Sequence, residues 1–81
     1  MGRIQDDEFD EKTFLKRLGQ HIEKIRSSKG YSQDRLTLES GLSRGTVSKI
    51  EAAKVSVKTA TLARIAHTLG VPLRKFFDIE L

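Results

Sequence analysis

The sequence contains no cysteine and no tryptophan, and only one proline, one tyrosine and one methionine. Without cysteine there are neither disulfides nor thiolate metal sites, which is compatible with a reducing cytosol. Long apolar runs are missing too. None approaches the roughly 20 residues that span a bilayer, and the opening residues are too acidic and polar for a signal peptide. The only histidines, His21 and His67, lie in different predicted helices without an H-E-x-x-H spacing, so no metal site is expected. No G-x-S-x-G, phosphate-loop or dinucleotide fingerprint occurs. The carboxylates gather in an N-terminal tip where burial cannot tune them, so the sequence predicts neither an enzyme nor a cofactor.

What is present is charge, unevenly placed. The 81 residues carry a net charge of +4, yet residues 1–12 hold −3 and the remainder +7. A basic body with an acidic tip fits binding of a polyanion by the body. Membrane-surface binding would need an apolar helix face exposed to lipid, and every apolar stripe here is needed for a core. A hydrophobic content of 37% suits a small helical bundle. The length predicts one domain without a ligand-binding module, so regulation would come through assembly, abundance or a partner. A core this small gains from further burial at a dimer interface.

The stretch Gln33–Ala52, QDRLTLESGLSRGTVSKIEA, organises the rest. It reads as two short helices around a tight turn. Leu36 is the apolar contact of the first, Gly41 provides the bend, and Leu42 plugs the corner. Ser43 is positioned to cap the second helix, read as Arg44–Ala52. At about 100° per residue, Ser43, Val47 and Ile50 fall on an inner side. Gly45, Ser48, Lys49 and Ala52 face outward, with Arg44 and Thr46 on the flanks. Small residues would let that face approach the floor of a major groove, and Arg44 could then make a bidentate contact to guanine. Gly45, inside an exposed helix, would cost roughly 1 kcal/mol relative to alanine, which argues for close approach of something. This architecture is a helix-turn-helix.

Around it, residues 1–9 lack periodicity and are expected to form a flexible acidic tip, with Phe9 stapling the first helix. Asp10 should cap a helix running to about Ser28 that buries Leu15, Leu18, Ile22 and Ile25. Ser32 should cap a helix over Gln33–Ser40. Lys54, in a loop after the recognition helix, is the better phosphate contact, and Lys58 reads as a solvated lysine. A fourth helix is predicted over Thr59–Leu69. A fifth, entered at Pro72, carries Leu73, Phe76, Phe77, Ile79 and Leu81, more apolar surface than one core needs, and is assigned to a two-fold dimer interface. The expectation is an all-α, five-helix bundle, with residues 10–81 forming a DNA-binding domain.

Taken together, Leu18-Gly19, Ile22, Ile25-Arg26, Lys29-Gly30-Tyr31-Ser32-Gln33, Leu36, Gly41-Leu42-Ser43, Val47-Ser48, Ile50-Glu51, Leu62, Ile65-Ala66, Leu69-Gly70-Val71 and Phe76-Phe77 resemble the lambda-repressor-like, Cro/C1-type (XRE) helix-turn-helix family of bacterial and phage regulators. Thr37, Ala53 and Ser56-Val57 depart from it, standing where alanine, glycine and Asn-Pro are common. The resemblance implies that Gln33 contacts the DNA backbone and braces the recognition helix. It also implies an ion pair of Arg26 with Glu51. The expected DNA contacts are Arg44, Gly45, Thr46, Ser48 and Lys49 to bases, and Ser32, Gln33, Ser43 and Lys54 to phosphates. The function so implied is a homodimeric, cytoplasmic regulator that binds double-stranded DNA at a palindromic operator. Compactness resembles the controller proteins of restriction–modification systems. Antitoxins (with a toxin as partner) and small phage repressors look similar, and a protein-interaction module with a vestigial helix-turn-helix is the alternative of a different class.

Overall fold

Four α-helices and one short 3₁₀ turn make up the fold in a computed structural model that describes residues 9–80. These are α1 (Glu11–Ser28), α2 (Gln33–Glu39), α3 (Thr46–Glu51), α4 (Thr59–Leu69) and the 3₁₀ turn Leu73–Phe77. Residues 1–8 of the acidic tip, and Leu81 of the expected interface, lie outside the described residues.

The starts of α1 and α2 and the stops of all four α-helices have visible causes. Asp10 caps α1: its carboxylate accepts from the Lys12 amide at 3.1 Å and the Thr13 hydroxyl at 2.7 Å. The Thr13 bond is the main cause of an Asp10 pKa below the ordinary value. Phe9 packs on Phe14 with ring centroids 6.1 Å apart, a hydrophobic staple across the cap. Ser32 Oγ accepts the Arg35 amide at 3.0 Å and opens α2. All four α-helices close with paired main-chain bonds around a left-handed residue, the Schellman arrangement. Gly30, Gly41 and Gly70 occupy that position in α1, α2 and α4, and Ala53 occupies it after α3 with φ of 59°.

The core lies where all four α-helices and the 3₁₀ turn meet. Leu18, Ile22 and Ile25 of α1 close on Leu36, Val47, Ile50, Leu62, Ile65, Ala66, Leu69 and Phe76. Leu15 is only half-buried. Full burial of each large apolar side chain stabilises by about 1.5–3 kcal/mol.

The C-terminal segment differs from expectation. Among the described residues there is no fifth α-helix: the stretch after Pro72 forms a five-residue 3₁₀ turn, closed by a 3.0 Å bond from the Lys75 amide to the Pro72 carbonyl. Five residues at about three per turn make fewer than two turns, so this segment cannot present a long apolar stripe. Phe76 is completely buried in the monomer core, which removes it from any dimer surface. Leu73 and Ile79 pack partly on the core, and Phe77 is left 47% exposed. The segment is tied to α1 through its main chain. His21 Nε2 donates to the Lys75 carbonyl at 2.8 Å and Arg17 to the Glu80 carbonyl at 3.0 Å.

Candidate nucleic-acid interface

The helix with an outward polar face is α3, and it is fixed to the rest of the fold in three ways. Glu51 is buried at its C-terminal end. Its carboxylate receives Arg26 Nε at 2.7 Å, Arg26 Nη2 at 3.0 Å and Gln33 Nε2 at 2.8 Å. Arg26 also donates to the Tyr31 carbonyl at 2.7 Å. One guanidinium therefore joins the end of α1, the loop entering α2 and the end of α3. The hydrogen bond to Glu51 is the chief reason that the Arg26 pKa lies above its ordinary value. The Arg26–Glu51 pair implied by the family resemblance is thus present, and Gln33 is the brace.

A second fixture is steric. A Cβ built on Gly19 would lie 2.7 Å from the Ile50 carbonyl oxygen and 2.8 Å from that of Glu51. Only a residue without a side chain lets α1 and α3 approach this closely. The third is Thr37, buried where α2 crosses α3. Its hydroxyl donates to the Gln33 carbonyl at 2.8 Å and accepts the Val47 amide at 3.4 Å. Thr37 therefore supplies from α2 an acceptor for a first-turn amide of α3. Nothing in the sequence pattern pointed to that role, because the bond crosses between helices.

The start of α3 differs from expectation. The helix begins at Thr46, two residues later than expected, and Ser43 and Arg44 belong to the turn. Ser43 is not its side-chain cap and is exposed rather than inward. Its carbonyl instead accepts the Thr46 amide at 3.0 Å and the Thr46 hydroxyl at 2.5 Å. Gly45 is the capping residue, at φ of 80°. A left-handed turn, rather than close approach of a ligand to a helix interior, requires glycine there.

Arg44, Ser48 and Lys49 are exposed on the outward side, with Gly45 and Thr46 half-buried beside them. Thr46 has its hydroxyl proton committed to Ser43, so it can offer a methyl group and a lone pair. Ser32, Ser43 and Lys54 are exposed around the same helix, and Gln33 is half-buried. Arg35 is an exposed cation of α2 already engaged, 2.9 Å from Glu39 and 4.2 Å above the Tyr31 ring. Its pKa is raised, chiefly by Glu39.

Two short helices of this geometry, joined at Gly41–Leu42, coincide with a family model described as Helix-turn-helix (HTH_3), which matches residues 22–76. The chain belongs to the XRE-type helix-turn-helix family. The chain is 37% identical over 60 residues to the HTH-type transcriptional regulator PuuR of Escherichia coli, covering 74% of this chain and 32% of that one. It is 38% identical over 64 residues to the HTH-type transcriptional regulator SlrR of Bacillus subtilis, covering 78% and 42%. The chain therefore spans less than half the length of these curated relatives. Among solved structures, it is similar to the restriction-modification controller protein C.AhdI of Aeromonas hydrophila. The TM-score is 0.78 and the identity 31%, over 80% of this chain and 98% of that one. No helix among the described residues is long and apolar enough to cross a membrane.

Proposed function

We propose that this protein is a sequence-specific transcriptional regulator that binds a palindromic operator as a homodimer. The observation that carries the reading is the mounting of α3. Its buried end is fixed by Arg26, Gln33 and Gly19, while Arg44, Ser48 and Lys49 remain exposed on its other side. Rigid presentation of a short polar helix is what major-groove readout requires.

In this reading Arg44, at the tip of the turn, pairs with a guanine, and Ser48 and Lys49 read adjacent base edges, with Gly45 and Thr46 at the groove floor. Ser32, Ser43 and Lys54 contact phosphates. Gln33 uses one amide hydrogen for Glu51 and offers the other to the backbone. Two copies would set their α3 helices about 34 Å apart, in successive major grooves. The exposed Phe77, with Leu73 and Ile79 at its side, supports a contact between copies at the C-terminal segment. Similarity to a restriction–modification controller over nearly that protein's whole length supports a role in controlling such a system from the cytoplasm.

Selection from a random duplex library followed by footprinting tests this directly. The expected outcome is a two-fold symmetric site, preferred over random DNA by at least about 10³-fold. Weak binding without sequence preference, erased by salt, would instead mark the helix-turn-helix as vestigial.

A further inference from the structure

A cleft of about 720 Å³ lies between the C-terminal end of α1 and the 3₁₀ turn, and no residue of α2 or α3 lines it. Its apolar lining is Ile25, which is buried, Val71, which is half-buried, and the exposed Pro72 and Phe77. Three exposed cations, Lys29, Arg74 and Lys75, share it with one exposed carboxylate, Asp78. Among the described residues the ion pairs are Arg26–Glu51 and Arg35–Glu39, so Asp78 neutralises none of the three cations. Ser28 also lines the cleft, but its hydroxyl proton is committed to the Ile25 carbonyl at 2.7 Å. The side-chain donors left to a ligand are therefore Lys29, Arg74 and Lys75. The frame around them is fixed. The Val71 amide bonds to the Ala66 carbonyl at 3.0 Å, His21 holds the Lys75 carbonyl, and Phe76 anchors the turn in the core.

We propose that this cleft binds a small organic anion with an apolar, ring-bearing body. The rings lie against Val71, Pro72 and Phe77, and the carboxylate, phosphate or sulfonate meets Lys29, Arg74 and Lys75. Charge complementarity selects an anion, and the apolar lining disfavours bare phosphate, which has nothing to place there. The volume falls in the range of about 300–1,000 Å³ that small-molecule sites occupy. Phe77 is also the residue assigned above to the contact between copies. A ligand that covers it binds the monomer in preference to the dimer, and by mass action it shifts the equilibrium toward the monomer. The site itself does not depend on the regulator reading, and its effect on assembly does.

The probe is anilinonaphthalene sulfonate, compared with N-phenylnaphthylamine, which has the same rings without the anionic group. Both are titrated into the full chain by fluorescence. The sulfonate should bind at least about tenfold more tightly, because its bonds are to charged donors. Arg74→Gln with Lys75→Gln should remove that advantage and leave the uncharged probe unaffected. Phe77→Ser should weaken both by about fivefold. Lys24→Gln, at an exposed cation of α1 outside the cleft, should change neither. Amide shifts at saturation should centre on Lys29, Val71 and Phe77 and leave Ser48 and Lys49 unmoved. Shifts centred on α3, equal binding of the two probes, or undiminished sulfonate binding after neutralisation of Arg74 and Lys75 would each overturn the site. A hexaglutamate peptide bound more tightly than the sulfonate would overturn it too, in favour of an acidic chain. In sedimentation equilibrium, saturating sulfonate should raise the monomer–dimer dissociation constant at least about fivefold, and an unchanged constant would overturn the effect on assembly. A chain that is monomeric without the probe would remove the homodimer reading, and that effect with it, while the probe results stand.

Discussion

The two ends of α3 are built in opposite ways. At its C-terminal end Glu51 is buried and takes three hydrogen bonds from Arg26 and Gln33, and Gly19 brings α1 against the carbonyls of Ile50 and Glu51. At its N-terminal end Gly45 caps without a side-chain bond, Thr37 of α2 accepts one first-turn amide on the inner side, and Arg44 on the outer side is exposed. The held end sets the angle of the helix, and the open end keeps its polar groups available to another molecule. Breaking a contact at the held end should therefore cost stability, whereas a change at the open end should alter recognition in a protein that stays folded.

The largest stability effect belongs to Glu51→Ala. Removing one partner of a buried pair leaves a guanidinium uncompensated, and thermal or denaturant unfolding should register a loss of about 3–5 kcal/mol. A loss under about 1 kcal/mol would place the pair among those that contribute little, as exposed ones do. Next comes Gly19→Ala, where an added methyl must push α3 away from α1. We expect about 1–3 kcal/mol of destabilisation, together with amide shift changes at Ile50 and Glu51 in NMR spectra. The smallest effect has the opposite sign. Ala53 holds a left-handed backbone at φ of 59°, so Ala53→Gly should stabilise by about 1 kcal/mol, raising Tm by about 4–8 °C.

How far the sequence could reveal this site depends on whether a contact is local or crosses between helices. Helix α1 from Glu11 to Ser28 and α4 from Thr59 to Leu69 match the boundaries that periodicity, Asp10 and Gly70 indicate, because caps and stops act within one turn. The sequence pattern puts the start of α3 two residues early, with Ser43 as its cap, for a physical reason. Ser43 and Gly45 are both acceptable caps, and the decision rests on the Thr46 hydroxyl bonding back to Ser43 and on Thr37 reaching across from α2. The Arg26–Glu51 pair could be anticipated from the family pattern alone, since the partners lie 25 residues apart. Apolar content at the C-terminus was plain to see, but not its division between core and surface. Phe76 went to the core and Phe77 to solvent, a choice set by the 3₁₀ turn.

The proposed function requires that an open-ended α3 read bases while Lys54 beside it holds the backbone. Library selection repeated with Arg44→Ala and with Lys54→Ala tests this most directly. Arg44→Ala should lose preference at one position in each half-site, worth about 1–3 kcal/mol, while Lys54→Ala weakens all sequences evenly and lowers the salt slope by about 1. An Arg44→Ala protein that selects the same sequence pattern as the unaltered chain would contradict it.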